Sequence, residues 1–516
     1  MRVLVTLLLS VSVLTSLAQD LPAPDSDAQE KADPALLAPP EPSDLVPPTP
    51  VEPIEFPFGM DARWRTITAK LHPEALDLGR EKPSVLIVSV APPESFETER
   101  FLISWAPAPA PGASFPPGLK KVYIAGQQYL WRWIQMFGPD AVVTDHESLA
   151  TALSRVVPCA ASLESLPEDL EPSLLRSDLE QRAARTAIGI AEAVATHYGG
   201  ELESINYIEA LAMIGRVRLA ELKGDDLPGD LLAAAEEASL GKKPSGPALA
   251  GNLVFAELGL KERVLAAAKI AVQDPADNEM SDSVFMICPL LASAGSLAGD
   301  EQLFDACLEH LDRMQELCLR DDGLYRHSPL DEAAWGRGNG FPAMGLAWAL
   351  SELPESYAGR QEILDSFRAH LTVLAEHQDP SGMWHQVIDH PESYREFTST
   401  CMITFAILRG MREGWLDKAE FGPVAERAWE ALKLRISLDG NSFTDACTGT
   451  GKQGSLKDYF RRGAILGPDA RSGAMALMVA TERAQWEREA GSQVRIPVEE
   501  APGAADLDLD LEGIDE

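Results

Sequence analysis

The sequence predicts a mainly α-helical protein whose helices close into a toroid of six helical hairpins, an (α/α)6 barrel, preceded by a small α/β domain. From about residue 178 to residue 489, a dozen segments carry apolar residues at i, i+3, i+4 and i+7, separated by Gly and Pro breaks. Strand patterns are scarce there, and no repeat of fixed length indicates a solenoid. Irregular helix lengths, with polar and aromatic loops on alternate connections, favour the closed ring.

Residues 59–166 have a different pattern and predict the small α/β domain. The apolar runs at 84–90, 121–124 and 141–143 are typical of strands, and 127–136 is typical of a helix. The acidic and histidine residues at 145–147 are too few to indicate a metal site. The sequence therefore leaves the role of this domain open, with a structural or binding role as the default interpretation.

The charge balance limits the classes of partner. Among 516 residues, 44 are Lys or Arg and 80 are Asp or Glu, a formal net charge of −36. This excess of negative charge argues against nucleic acid or an anionic membrane surface as a partner. It still permits a small anionic substrate, because one local arginine can outweigh a distant field. The six cysteines form no CxxC pair, so they predict neither a metal site nor a disulfide framework.

The two ends of the chain predict export and disorder. Residues 1–18 resemble a secretory signal, with Arg2, an apolar run at 3–14 and a small-x-small site at 16–18. The run is too short for a comfortable membrane span, and no cysteine follows it to carry a lipid anchor. We therefore expect a periplasmic or extracellular protein. Residues 19–58 predict a Pro- and acid-rich disordered linker, and 490–516 an acidic disordered tail.

Chemistry-bearing residues concentrate in two places. In the glycine-punctuated segment 321–340, Arg337 offers a planar fork for a carboxylate and Trp335 a flat face for a sugar ring. Asp282 opens a predicted helix on the side of Phe285 and Met286, an apolar setting that suits a carboxyl acting as a proton donor. An ordinary N-cap aspartate is the alternative interpretation of Asp282.

Several motifs, in order along the chain, resemble two families of glycoside hydrolases. These are the unsaturated rhamnogalacturonyl hydrolases of family 105 and the unsaturated glucuronyl hydrolases of family 88. The matching stretches are DSVFM at 282–286, GLY at 323–325 with His327, WGRGNG at 335–340, GMWHQV at 382–387 and CTGTG at 447–451. Any one of these motifs is weak evidence, but their common order is specific.

The resemblance implies a substrate and a set of residue roles. Such enzymes hydrate the C4=C5 double bond of an unsaturated uronic acid, at the end of an oligosaccharide left by a polysaccharide lyase. By resemblance, Asp282 gives a proton to C4 and helps water to attack C5, with no metal or organic cofactor. The implied substrate-binding residues, with the uronate carboxylate on Arg337 and the sugar ring on Trp335, are His327, Trp335, Arg337, Trp384, His385 and Asn252.

One departure from the family pattern keeps alternatives open. Family members carry a second Asp before an Asn on an earlier helix, but residues 250–252 here read Ala-Gly-Asn, so that Asn252 remains without the acid. A non-catalytic carbohydrate-binding protein on the same toroid is therefore an alternative. Another toroid enzyme, such as a sugar epimerase using His327 and His385, is a third interpretation. The leaving sugar and the oligomeric state are not determined by the sequence.

Overall fold

The computed structural model describes residues 53–61, 65–109, 112–113, 115, 126–200, 202, 205–227, 229–231, 233, 244–274 and 279–493. The predicted signal at 1–18, the strand at 121–124, most of the linker and the tail beyond residue 493 lie outside these ranges. No helix among the described residues has both the length and the apolar character needed to cross a membrane.

The N-terminal part of the described chain forms a six-stranded mixed sheet in the order β1-β2-β4-β3-β5-β6. Strand β3 pairs in parallel with β4 and β5, and β5 with β6, whereas β1–β2 and β2–β4 are antiparallel. The elements are β1 (Ile54–Met60), β2 (Thr66–Leu71), β3 (Ser84–Ser89), β4 (Leu102–Pro107), α1 (Gln127–Phe137), β5 (Ala141–Thr144), α2 (Glu147–Leu153) and β6 (Cys159–Ala160).

Strand β1 lies partly inside the stretch predicted as linker, so the sheet begins earlier than residue 59. Phe56 and Phe58 are buried, and both rings pack against Trp133 of α1, with centroids 5.2 and 5.7 Å away. The prediction weighted the prolines and acids of this stretch and missed its alternating phenylalanines. Burial of two aromatic rings offsets the cost of ordering a short edge strand.

Six helices of the described chain form a closed ring. In chain order, each packs against the next, and the last packs against the first. Most residues of these helices are buried, because each helix is enclosed by neighbours within the ring and by an outer layer. These inner helices are α5 (Tyr207–Lys223), α6 (Gly246–Gly251), α9 (Ser283–Ala298), α11 (Gly336–Glu352), α13 (Phe397–Arg412) and α16 (Ala470–Gln493).

An outer layer of helices covers this ring, which confirms the predicted toroid of helical hairpins. These helices are amphipathic: α10, for example, buries Phe304, Cys307, Leu311 and Met314 against α9. The outer helices in the described chain are α4 (Ala187–Ala195), α8 (Lys261–Gln273), α10 (Glu301–Cys318), α12 (Arg360–Glu376) and α14 (Lys418–Leu434). The remaining elements are α3 (Leu174–Ala183), α7 (Leu253–Glu257), β7 (Phe443–Cys447), α15 (Leu456–Phe460) and β8 (Ala464–Gly467).

A glycine brings two inner helices into close contact. A Cβ atom at Gly345 of α11 would lie 2.8 Å from the Cα of Phe285 in α9, which is closer than real Cβ atoms come. The absent side chain therefore lets these two helices approach closely. This contact fixes the spacing between the helix that follows Asp282 and the helix that follows Trp335.

The sheet domain packs on the toroid through a buried ion pair and aromatic contacts. The Nε atom of Arg132, in α1, lies 2.5 Å from Oδ1 of Asp445 in β7. The guanidinium of Arg395 lies 4.3 Å above the ring of Phe56. Burial raises the pKa of Asp445, against the opposing effect of Arg132 and Arg435. The sheet domain thus contacts the loops at the end of the toroid where the inner helices begin.

Candidate active site

The amino-terminal ends of the inner helices meet at one end of the ring. Ser281, before α9, donates its N–H to the carbonyl of His327 at 3.0 Å, and Gly336 of α11 donates to Gln386 at 2.8 Å. Where the ring closes, Arg471 of α16 donates a hydrogen bond to Tyr207 of the neighbouring α5. Because helix amino termini carry partial positive charge, this end of the ring favours an anionic ligand.

Asp282 lies at this end, immediately before α9, and is 8% exposed. Its side chain makes no cap hydrogen bond, so the N-cap interpretation is not supported. Its Oδ1 atom lies 3.3 Å from Nε2 of the fully buried His327. These two atoms are not aligned as a hydrogen bond, and each is buried without a hydrogen-bond partner among the described residues. The carboxyl and the imidazole therefore keep bonding capacity for a ligand.

A tyrosine extends this pair into a chain of three groups. Nδ1 of His327 lies 2.9 Å from the hydroxyl of Tyr459, which belongs to α15. Burial, together with the nearby charges of Asp331 and Asp282, raises the pKa of Tyr459, so its hydroxyl keeps its proton. A phenol can donate to Nδ1 while Nε2–H faces the Asp282 carboxylate, or accept from Nδ1–H while a protonated Asp282 faces Nε2. Sequence reasoning missed Tyr459, which no motif connects to His327.

Further polar atoms without partners surround Gly338. From the position of a Cβ at Gly338, the nearest atoms are Oγ of Ser281 at 2.9 Å, Cε3 of Trp335 at 3.3 Å and Cδ2 of His327 at 3.4 Å. Among the described residues, Oγ of Ser281 and Nε1 of Trp335 are buried without a hydrogen-bond partner. Buried polar groups normally have partners, so this concentration marks a site where a ligand or water completes the bonding.

Trp335 and Arg337 are buried, and this corrects their predicted contact with substrate. Trp335 is 1% exposed, with the ring of His327 at 4.4 Å and the guanidinium of Arg337 at 4.6 Å, so no sugar ring can stack on it. The Nη atoms of Arg337 donate to the carbonyls of Cys447 and Thr448 at 2.8 and 2.9 Å. Both residues therefore contact other protein groups: Trp335 packs on His327, and Arg337 holds the backbone at Cys447 and Thr448.

Trp384 and His385 also lie in the core, which corrects the prediction that they bind substrate. Trp384 is fully buried, and its Nε1–H donates to the carbonyl of Leu374 at 2.6 Å. Both ring nitrogens of His385 are occupied, with Nδ1 2.8 Å from the carbonyl of Ser393 and Nε2 3.1 Å from Asp379. These contacts also remove the basis for an epimerase built on His327 and His385.

Asn252 does not face a ligand either. Its Nδ2 donates to the carbonyls of Ala248 and Leu249, one turn earlier in its own helix, at 2.8 and 3.2 Å. Ala250, at the position of the family's second acid, is buried and apolar. The chain therefore provides no carboxylate at that position, and the imidazole of His327 lies 3.3 Å from the Asp282 carboxyl.

Three aromatic rings from different inner helices meet in the centre of the ring. Tyr207 of α5 packs against Phe285 and Phe341, with centroids 6.2 and 5.6 Å away, and Phe285 and Phe341 are 5.6 Å apart. The hydroxyl of Tyr207 accepts a hydrogen bond from Nε of Arg471 at 3.2 Å. These three buried rings form an aromatic cluster, and Asp282 lies one helical turn before Phe285. Arg471 was missed because a lone arginine at a helix start carries no motif.

Together, the toroid and its unpartnered acid–imidazole pair define a class of fold and site: an α/α toroid with a candidate acid–base pair at one end of its ring. Residues 273–486 match the model of Glycosyl Hydrolase Family 88, in agreement with the resemblance that the motifs indicated. The matched segment contains Asp282, His327, Tyr459 and Arg471.

Curated relatives are similar to parts of the chain. An unsaturated 3S-rhamnoglycuronyl hydrolase from Formosa agariphila is 33% identical over 100 residues, 19% of this chain and 26% of the relative. The unsaturated rhamnogalacturonyl hydrolase YesR from Bacillus subtilis is 27% identical over 199 residues, 37% of this chain and 54% of the relative. The aligned segments thus cover about a quarter and about half of these relatives.

A solved polysaccharide lyase has a similar fold. It aligns with a TM-score of 0.50 and 20% identity, over 58% of this chain and 97% of the lyase. At this identity the likeness is one of fold and carries no information on the reaction.

Proposed function

We propose that this protein hydrolyses oligosaccharides that end in an unsaturated uronic acid, by hydrating the C4=C5 bond of that sugar. The observation that carries the proposal is the buried carboxyl of Asp282 beside His327, both with unpartnered atoms at the amino-terminal end of the ring. The family 88 match and the two curated relatives, named as unsaturated glycuronyl hydrolases, support the substrate class.

The proposed reaction uses one carboxyl as acid and then as base. Asp282 gives its proton to C4, and the resulting carboxylate takes a proton from the water that adds to C5. The product is a hemiketal at C5, which opens to a ketone and leaves a hemiacetal at C1 that expels the leaving sugar as an alcohol. His327 and Tyr459 orient the Asp282 carboxyl before it gives its proton to C4 and while the resulting carboxylate takes a proton from water. No second Asp is present at residue 250 to share this role.

The test is turnover of a disaccharide produced by a polysaccharide lyase, followed as loss of the absorbance of the conjugated uronate. Purified protein should remove this absorbance, and Asp282→Asn should lower kcat by about 10³-fold because the amide cannot donate the proton. Binding of the disaccharide by the variant should persist in calorimetry. If the wild-type chain binds the disaccharide without turnover, the protein is the non-catalytic binder; if it does neither, the substrate class is wrong.

We also propose that the chain is exported, because residues 1–18 carry the features of a secretory signal. Expression in the source cells followed by fractionation should recover a shortened chain outside the cytoplasm, beginning at Gln19. Recovery of an uncut chain with the cytoplasmic fraction would reject export.

A further inference from the structure

We propose that Arg471 forms the subsite for the uronate carboxylate, at the same end of the ring as Asp282. This inference rests on the proposed function and names the residue that selects an acidic sugar. Arg471 is the second residue of α16, so its guanidinium lies at the end of the ring where the inner helices begin. It is partly exposed there, unlike the buried residues that follow it in α16.

The guanidinium of Arg471 keeps donors available. Among the described residues, its hydrogen bond is made by Nε, to the hydroxyl of Tyr207 at 3.2 Å. Its Nη2 lies near Gly449, 3.7 Å from the position of a Cβ atom there, and none of the described residues is a hydrogen-bond partner of either Nη group. Two Nη groups can therefore bind a carboxylate in a bidentate manner.

Other cations at this end of the ring are already committed to protein groups. Arg337 donates to the carbonyls of Cys447 and Thr448. Arg462 donates to the carbonyl of Gly449 and to Oγ1 of Thr450. Lys452 pairs with Glu279 at 3.0 Å.

The acidic residue Asp469, which lies near Arg471 in the chain, forms hydrogen bonds with another residue. Oδ2 of Asp469 accepts hydrogen bonds from the N–H and the hydroxyl of Ser472, at 2.8 and 2.7 Å. Asp469 therefore caps α16 and does not form an ion pair with Arg471.

The position of Arg471 fits the geometry of the proposed reaction. Arg471 contacts Tyr207, Tyr207 packs on Phe285, and Asp282 lies one helical turn before Phe285. A uronate that enters this end of the ring with its carboxylate on Arg471 brings the adjacent C4=C5 bond to the side of the ring where Asp282 lies.

The experiment compares the unsaturated disaccharide with its methyl ester, in wild type, Arg471→Met and Arg471→Lys. The ester removes the charge that Arg471 is proposed to bind. For the acid, Arg471→Met should raise KM by about 10- to 100-fold, as expected for the loss of a charge-assisted pair, with a smaller change in kcat. For the ester, the same variant should resemble the wild type. Arg471→Lys should recover part of the preference for the acid.

Arg462→Met is the matched control, because it removes a cation from the same end of the ring that donates to backbone and hydroxyl groups. It should leave the ratio of acid to ester activity unchanged. Equal losses on acid and ester in Arg471→Met, or a wild type with no preference for the acid, would overturn the subsite.

A binding measurement separates this proposal from the proposed function. If the wild-type chain shows no turnover, calorimetric titration with the acid and the ester still tests the subsite. Selective loss of acid binding in Arg471→Met would support the subsite while the hydrolase assignment fails. Absence of acid binding in the wild type would reject both.

Discussion

Two histidine–aspartate pairs lie in the loops at the amino-terminal end of the ring, and their surroundings differ. His327 and Asp282 approach to 3.3 Å, and His385 and Asp379 to 3.1 Å. In the second pair, both ring nitrogens of His385 have acceptors, and Asp379 also receives two hydrogen bonds from Arg395 at 2.8 and 2.7 Å. In the first pair, the facing atoms have no hydrogen-bond partner among the described residues.

Both pairs consist of a histidine and an aspartate, so residue type does not distinguish the candidate active site. The pair with buried polar atoms that lack hydrogen-bond partners does. A fully paired buried network fixes a loop and has no donor or acceptor left for substrate. An incompletely paired one costs stability in the free protein and gains a partner when a ligand binds. The family motifs treated both histidines as contacts to substrate, and the hydrogen bonds separate them.

Asp379→Asn should cause the largest change in stability and little change in catalysis by the folded protein. Burial alone would raise the pKa of Asp379, but Arg395 and His385 outweigh it and hold the pKa well below its ordinary value. The loss of this buried charge partner should cost about 3 kcal/mol in the free energy of unfolding at neutral pH, measured by denaturant titration.

The same variant tests the pH dependence. Because the folded-state pKa is depressed, the carboxylate stabilises the protein above its unfolded-state pKa of about 4, and this stability is lost as pH falls toward the folded-state value. The difference between wild type and Asp379→Asn should therefore shrink below about pH 4. Glu332→Gln, at an exposed ion pair with Arg326, is the control and should change stability by less than about 1 kcal/mol. A drop in kcat like that of Asp282→Asn, with stability intact, would contradict this division of roles.

Tyr459→Phe should have a smaller effect, confined to catalysis. Without the hydroxyl, Nδ1 of His327 loses its partner, and the imidazole no longer has a fixed proton arrangement toward Asp282. We expect kcat to fall by about 10-fold, with KM unchanged and an altered pH–rate profile. Tyr394→Phe is the matched control, since its buried hydroxyl makes a long 3.5 Å contact with the carbonyl of Gly463. Identical pH profiles in wild type and Tyr459→Phe would show that Tyr459 is only a packing residue.

Trp384→Phe should give the smallest effect. The substitution removes the indole donor to Leu374 and leaves a small void, so unfolding should become easier by about 1–2 kcal/mol. KM should stay within about twofold of the wild type, because the side chain is fully buried. A large rise in KM with unchanged thermal stability would instead restore Trp384 to the sugar-binding surface.

The parts of the fold that the sequence predicted correctly are those with a regular spacing of apolar residues. Apolar residues at helical spacing predicted the ring and its outer layer, because a helix buried on one or all sides needs that pattern. The strands at 84–90 and 141–143 were predicted for a similar reason, and β3 and β5 confirm them. Strand β1 was missed, since its prolines and acids concealed two buried phenylalanines.

The sequence by itself predicted a helical toroid, which the structure confirms. It also ranked Asp282 first among the candidate acids, and this stays a prediction. The tertiary structure decided which polar side chains retain free donors and acceptors, because hydrogen bonds to distant carbonyls occupy Arg337, Trp384 and His385. It also brought Tyr459 to His327 and Arg471 to Tyr207, contacts across 132 and 264 residues of chain. No local pattern encodes such contacts, since they depend on how the ring closes.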